Sequence, residues 1–220
     1  MGSIWVILVI VILVYVWNMQ YTDIKCKKYF LDDVIFKTGD IILFKAYNNY
    51  NSIFIGNYFG HMGIVLRDPD THELMIFEAN GIENMPLKPH HNKNGVFYSK
   101  LEDRIRKYKG RVFVKQLEKS VKPEDEIALK EFVVFATQNM QYEKNIFRAV
   151  MHRYFSGSKC NFRTNCGEIV FLSLIKLGLL DLDEYDTPTI HYLKWMCKLR
   201  YVNMNRYLDP IELIDHPFDS

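Results

Sequence analysis

Cys166 stands where a polar stretch turns into an apolar one, in the sequence RTNCGEIVFLSL. Asn165 is a good helix N-cap residue, and Glu168 lies three positions after it, which is the spacing of a capping box. The pattern predicts a helix that begins at Cys166 and ends by Gly178. Free backbone N–H groups and the helix dipole at that position favour an anion, and so they lower the pKa of a thiol toward reactive values.

Gly167 follows the cysteine and removes a side chain that would crowd an incoming substrate. Cys166 is therefore a candidate nucleophile, and Gly167 is a candidate substrate-binding residue. The stretch alone leaves a second interpretation open, in which Cys166 is simply a small residue at a helix start.

A thiolate nucleophile also needs a base, and the base needs an orienting group. Among the seven histidines, His61 opens the predicted strand GHMGIVL. His61 and Gly63 share one face of that strand because side chains alternate along it. Gly63 leaves space beside the imidazole, so we predict His61 as the base and Gly63 as part of the substrate site. His191 stays open as an alternative base.

Glu78 ends an otherwise apolar predicted strand, in the sequence MIFEANG. Leu74, Ile76 and Glu78 share one face of it. A carboxylate there could accept the imidazole N–H and hold the useful tautomer. The alternative is an exposed glutamate at a strand end.

The elements that would position these residues indicate an α+β domain, because strands and helices are segregated along the chain. A helix is predicted over 122–140, and residues 96–110 are read as a loop leading into a short helix. Residues 21–35 are read as a juxtamembrane linker or a first short helix. Strands are predicted over 38–46, 61–68, 73–81 and 111–118.

Composition narrows the function classes. A chain of 220 residues is long enough for one domain with a real core. The net charge of +2 and the scattered basic residues predict no nucleic-acid partner. The four cysteines have neither CxxC nor zinc-like spacing, so we expect reduced thiols, no metal site and no cofactor.

Residues 1–20 are predicted to form a transmembrane anchor. The run IWVILVIVILVYVW with its flanks gives about 19 residues, or roughly 28 Å of helix, close to a ~30 Å hydrocarbon core. Trp5 and Trp17 lie near its ends, as interfacial anchors do. A secretory signal is disfavoured because no basic residue precedes the run and no A-x-A site follows it. A buried core helix is disfavoured because the run is apolar on every side.

Lys25, Lys27 and Lys28 follow this segment closely. The positive-inside rule then places the remaining chain on the cytoplasmic side of a single-pass membrane protein, which agrees with free thiols. The lipid bilayer is accordingly an expected partner, and no protein partner is indicated.

The ordered set TGDIILF, GHMGIVL, IFEANG and NCGEIV resembles the circularly permuted NlpC/P60 branch of the papain-like superfamily. That branch includes YiiX/YebB-like bacterial proteins, members in large DNA viruses and lecithin–retinol-acyltransferase-like proteins. The resemblance covers roughly residues 36–180. It implies a permuted papain-like domain over 36–220, with a small antiparallel sheet packed on helices, and it is compatible with a viral origin and a host or virion membrane.

The resemblance also implies roles for individual residues. Cys166 would be the nucleophile, His61 the base and Glu78 the orienting member. Tyr142, in MQYEKNIF, matches a tyrosine-containing segment of the family and becomes a candidate site-lining residue. The chain departs from the family where Gly167 replaces a commoner serine, and NCGEI differs from the NCEHF-like motif of the acyltransferase type, which favours the YiiX-like side.

The expected function is that of a membrane-anchored cysteine-dependent hydrolase or acyltransferase. The substrate would contain an amide, isopeptide or lipid acyl bond, cleaved through a thioester. The alternative is a catalytically silent, membrane-tethered interaction or virion structural protein. A histidine–cysteine metal site is a weaker idea, because too few ligands lie together.

Overall fold

The computed structural model describes residues 26–46, 59–68, 71–80, 95–143, 163–180 and 206–214, together with Val6 and Ile10. These residues form a mixed α+β fold. A short 3-10 turn spans Leu31–Asp33. In chain order the strands and helices are β1 (Lys28–Phe30), β2 (Ile41–Ala46), β3 (His61–Arg67), β4 (Leu74–Ala79), β5 (Val96–Lys100), α1 (Leu101–Arg106), β6 (Gly110–Lys115), α2 (Pro123–Asn139), β7 (Gln141–Tyr142), β8 (Arg163–Thr164), α3 (Cys166–Lys176) and β9 (Ile211–Ile214).

A seven-stranded sheet in the order β1-β9-β6-β2-β3-β4-β5 is the framework of the fold. Every neighbouring pair is antiparallel except β1–β9, which is parallel. The two-residue strands β7 and β8 pair separately, in parallel. This arrangement confirms the predicted α+β class with an antiparallel sheet.

Both faces of the sheet are covered, which explains why its central strands read as continuous apolar runs. Along β2, Ile41 and Leu43 belong to a core with residues of α2 and α3, which we call the α2/α3 face. Ile42 and Phe44 belong to a second core with residues of α1, the α1 face. This alternation follows from the two-residue period of a strand.

The Gly39–Asp40 pair at the start of β2 has a structural role. Gly39 has φ 98°, a conformation that favours glycine. The buried Asp40 carboxylate accepts hydrogen bonds from the backbone N–H groups of Leu117 (2.7 Å) and Lys37 (2.9 Å), and burial raises its pKa to about 6. The hydroxyl of Tyr207 donates to the Gly39 carbonyl at 2.8 Å. The pair therefore links β2 to the end of β6 and to the segment before β9.

Three strands of the seven-stranded sheet differ from the sequence prediction. The stretch 96–100, for which the sequence predicts a loop, is strand β5 and pairs with β4 along its length. The predicted linker over 21–35 contains β1, and the C-terminal tail supplies β9, which lies between β1 and β6. These strands are short, and they depend on hydrogen bonds to distant partners more than on their own residue pattern.

The predicted membrane anchor over residues 1–20 lies outside the described residues, apart from Val6 and Ile10. Both of these are helical, and both side chains are exposed. In the part of the chain that the structure describes, there is no helix with the length and apolar character needed to cross a bilayer. The anchor stays a prediction.

Candidate active site

Strand register brings His61 and Glu78 together. In the pairing of β3 with β4, Ile64 lies opposite Phe77. Continuing this register by one residue places Gly63 opposite Glu78. His61, two residues before Gly63, therefore lies diagonal to Glu78 on the same face of the sheet. The His61 imidazole Nε2 hydrogen-bonds Glu78 Oε2. The carboxylate therefore contacts the imidazole as the sequence predicted.

Cys166 lies at the first position of α3. The Asn165 side chain accepts a hydrogen bond from the Glu168 N–H at 3.0 Å, as an N-cap does. The Cys166 Sγ is hydrogen-bonded to His61, and it also accepts hydrogen bonds from the backbone N–H groups of Met62 and Gly167. Because the imidazole Nε2 is engaged by Glu78, its Nδ1 is the nitrogen left to face the sulfur.

A local opening between β3 and β4 explains how the cysteine reaches the histidine. His61 pairs with Phe44 of β2, but the pairing of β3 with β4 stops at Ile64. Backbone N–H groups point alternately to the two sides of a strand. The Val65 N–H points toward β2, so the Met62 N–H, three residues earlier, points to the other side, where β4 no longer pairs with β3. That freed N–H donates to Cys166 instead. It is a donor that sequence reasoning did not name.

The charges of the three residues support one another. Burial alone would lower the pKa of His61, but the Cys166 sulfur and the Glu78 carboxylate outweigh it and raise that pKa to about 9. Burial alone would raise the pKa of Glu78, but His61 and Arg104 hold it down at about 2. Burial likewise opposes ionisation of Cys166, yet His61 and the two backbone N–H groups lower the pKa of the thiol. At neutral pH the arrangement favours a thiolate, an imidazolium and a carboxylate.

Arg104 completes the surroundings of Glu78 and was missed by sequence reasoning. Its Nε donates to Oε1 at 2.6 Å and its Nη2 to Oε2 at 3.2 Å. Arg104 occupies an inward position of α1, together with Leu101 and Ile105. The signal was therefore present in the sequence, since an arginine stands in the apolar i, i+3, i+4 stripe of LEDRIR.

Two further predicted site residues lie close to the cysteine. Gly167 is buried, and its backbone N–H contacts the sulfur. Tyr142 pairs with Thr164, which precedes Cys166 by two residues, and it packs closely against Gly95. Their contact with a substrate stays a prediction. His191 lies outside the described residues.

Gly63 is better explained by packing. A Cβ built on Gly63 would lie 2.7 Å from both Cδ1 and Cγ1 of Ile76 and 3.1 Å from the Phe77 carbonyl oxygen. The space beside the imidazole that the sequence predicted is therefore filled by Ile76. A glycine here lets β3 and β4 approach closely under the His61–Glu78 pair.

We expect Gly63→Ala to lower the free energy of unfolding by about 1–3 kcal/mol, because the new methyl group overpacks against Ile76. Urea denaturation measures the loss. Adding Ile76→Val removes one of the two clashing carbons and should restore part of it, which a double-mutant cycle detects as coupling. Additive losses, or a Gly63→Ala variant as stable as wild type, would contradict this packing role.

Within the described ranges, no group of three or more histidine, cysteine, aspartate or glutamate side chains is arranged to hold a metal ion. Cys26 and Cys166, the two cysteines in those ranges, are both free thiols.

Comparison with known proteins gives a distant likeness. No protein family matches the chain by its sequence profile, and no curated protein is a significant match. Among solved structures, the chain is similar to the crystal structure of metalloprotein yiiX from Escherichia coli O157:H7 (DUF1105). The TM-score is 0.44 and the identity 19%, over 80% of this chain and 88% of that one. This neighbour is of the YiiX type, while membership of the permuted NlpC/P60 branch stays a prediction.

Proposed function

We propose that this protein is a cysteine-dependent hydrolase or acyltransferase that forms a thioester on Cys166. One observation carries the proposal, namely the continuous hydrogen-bonded chain from the Cys166 sulfur through His61 to Glu78. A nucleophile, a base and an orienting group in contact are the parts that covalent acyl transfer requires. The lowered pKa of the Cys166 thiol increases the fraction of nucleophilic thiolate at neutral pH.

In the proposed reaction the Cys166 thiolate attacks the acyl carbon. The His61 imidazolium then donates its proton to the leaving amine or alcohol as the carbon–heteroatom bond breaks. The thioester remains, and neutral His61 removes a proton from water or another acceptor, which attacks the same carbon and releases the thiolate. The backbone N–H groups of Gly167 and Met62 donate to the thiolate beforehand, and as negative charge leaves the sulfur they become the donors available to the oxyanion, together with the Cys166 N–H at the start of α3.

The predicted anchor over residues 1–20 would hold the domain at a membrane. We propose that the domain acts at the cytoplasmic surface of a membrane, where amides, isopeptides and lipid acyl bonds are the candidate substrates. A catalytically silent, membrane-tethered protein of the same fold is the competing outcome of the experiment below.

The test is the pH dependence of iodoacetamide alkylation in the full chain in detergent, with each cysteine resolved by peptide mass spectrometry. We expect the Cys166 rate to reach half its plateau well below pH 8.5, the reference pKa of a free thiol. Cys26 is an internal control, because burial first, and then the Glu212 charge, raise the pKa of its thiol. A Cys166 that titrates like a free thiol, or that does not react, would favour the silent protein.

A further inference from the structure

The Arg104–Glu78 ion pair is the most deeply buried one in the described part of the chain. The side chains are 4% and 0% exposed, whereas the surface pair Lys100–Glu73 is 56% and 46% exposed. Arg104 contacts both oxygens of the carboxylate, at 2.6 and 3.2 Å, while His61 contacts only Oε2. Two-point contact of this kind holds a carboxylate in one orientation.

Aromatic rings hold the guanidinium in place. The Arg104 Cζ lies 4.5 Å from the centre of the Phe44 ring and 5.5 Å from that of Tyr108. The Phe44 ring also lies against the imidazole of His61, with centroids 5.4 Å apart. Burial raises the pKa of Tyr108 to about 12, so its phenol stays neutral beside the ion pair. The rings therefore fix the position of the Arg104 guanidinium, and the Phe44 ring contacts both Arg104 and His61.

Four charges alternate in sign along this chain of contacts. They run from the Cys166 thiolate to the His61 imidazolium, the Glu78 carboxylate and the Arg104 guanidinium. Without Arg104, one imidazolium would have to balance two anions, the buried Glu78 carboxylate and the half-buried Cys166 thiolate. His61 keeps Glu78 ionised at neutral pH even without the arginine, since its influence on the pKa of that carboxyl is the larger one. A carboxylate that loses its two-point contact is no longer held in one orientation, so it would stabilise the imidazolium beside the sulfur less well.

We propose that Arg104 is a positioning residue of this site, which keeps the Glu78 carboxylate oriented toward His61 so that His61 can hold Cys166 as the thiolate. This role rests on the proposed cysteine chemistry. Arg104 acts only through Glu78 and His61 and does not touch the reacting atoms.

The test compares the pH profile of Cys166 alkylation in full-length Arg104→Met with that of wild type. We expect the midpoint to move upward by about one pH unit, because a carboxylate without its two-point contact fixes the imidazolium beside the sulfur less well, and a weakened opposite charge beside a thiolate produces a shift of this order. Arg106→Met is the matched control. Arg106 lies on the same helix and binds Asp32 and Glu102 at the surface, both at 2.9 Å, so its removal should leave the midpoint unchanged.

A double variant separates positioning from simple packing. If Arg104 acts through Glu78, Glu78→Gln with Arg104→Met should shift the midpoint no further than Glu78→Gln alone. Shifts that add, or an Arg104→Met profile identical to wild type, would overturn the role. If circular dichroism shows that Arg104→Met does not fold, Arg104→Gln takes its place. Its alkylation midpoint, alone and combined with Glu78→Gln, is judged in the same way.

The two proposals fail in different ways. If wild-type Cys166 titrates as an ordinary thiol, the proposed enzymatic function fails. If the wild-type alkylation midpoint is low and the Arg104 variants do not move it, only the proposed role of Arg104 fails.

Discussion

Replacing His61 by alanine is expected to move the midpoint of Cys166 alkylation up to about pH 8.5, the ordinary pKa of a thiol. The variant removes the group that contributes most to lowering the pKa of the thiol, namely the imidazolium bonded to its sulfur. Burial would still oppose ionisation of the thiol, while Met62 and Gly167 would still donate their backbone N–H groups, and these opposing effects keep the expected midpoint near the reference.

The effect of His61→Ala on the rate at pH 6 combines two opposing terms. A thiol with a pKa near 8.5 is only about 0.3% ionised at that pH, so the thiolate fraction falls below that of wild type, by about 300-fold at most. A more basic thiolate is intrinsically more nucleophilic, which offsets part of that loss. We therefore expect alkylation at pH 6 to slow by about tenfold to 100-fold, and the rate at pH 9.5 to match or exceed that of wild type.

His72→Asn is the matched control for this experiment. His72 lies in an exposed turn with φ 58°, a conformation that asparagine tolerates, and it has no contact with the site. Its alkylation profile should coincide with that of wild type. A His61→Ala profile that also coincides with wild type would remove His61 as the base.

Replacing Glu78 by alanine is expected to lower the free energy of unfolding at pH 7 by about 3–5 kcal/mol. The variant leaves the buried Arg104 guanidinium without its carboxylate, and an unpaired buried charge is among the costliest defects a fold can contain. Urea denaturation followed by circular dichroism measures the loss.

Glu73→Ala provides the control for charge removal at the surface. Glu73 binds Lys100 at 2.6 Å, but both side chains are exposed, so we expect a loss of less than about 1 kcal/mol. Equal losses in the two variants would mean that the buried pair contributes no more than the exposed one.

The stability difference between wild type and Glu78→Ala should also depend on pH. The pKa of Glu78 is lowered in the folded protein from 4.5 to about 2. Its stabilising contribution is therefore fully present above pH 4.5 and is lost as the pH falls through 2. Measurements at pH 7 and pH 3 should show the difference narrowing at the lower value, and a constant difference would contradict the assigned ionisation.

Local features of the fold followed from the sequence because their causes act within a few residues. The Asn165 cap accepts the Glu168 N–H as the capping spacing predicted, and α3 begins at Cys166. Strands β3 and β4 lie where alternation and turn residues placed them. The candidacy of Cys166, His61 and Glu78 thus rests on residue types and their spacing along the chain.

Tertiary structure alone decided how those residues meet. Contact between His61 and Glu78 depends on the register of β3 with β4, and the freed Met62 N–H depends on where that pairing ends. Arg104 reaches Glu78 only because α1 covers the same face of the sheet. Helix capping and strand alternation depend on residues that are neighbours in the chain. Sheet order, strand register and buried charge pairs depend instead on which distant segments pack against each other and exclude water. That is why the sequence by itself determined the candidate residues, and the fold determined their electrostatic connection.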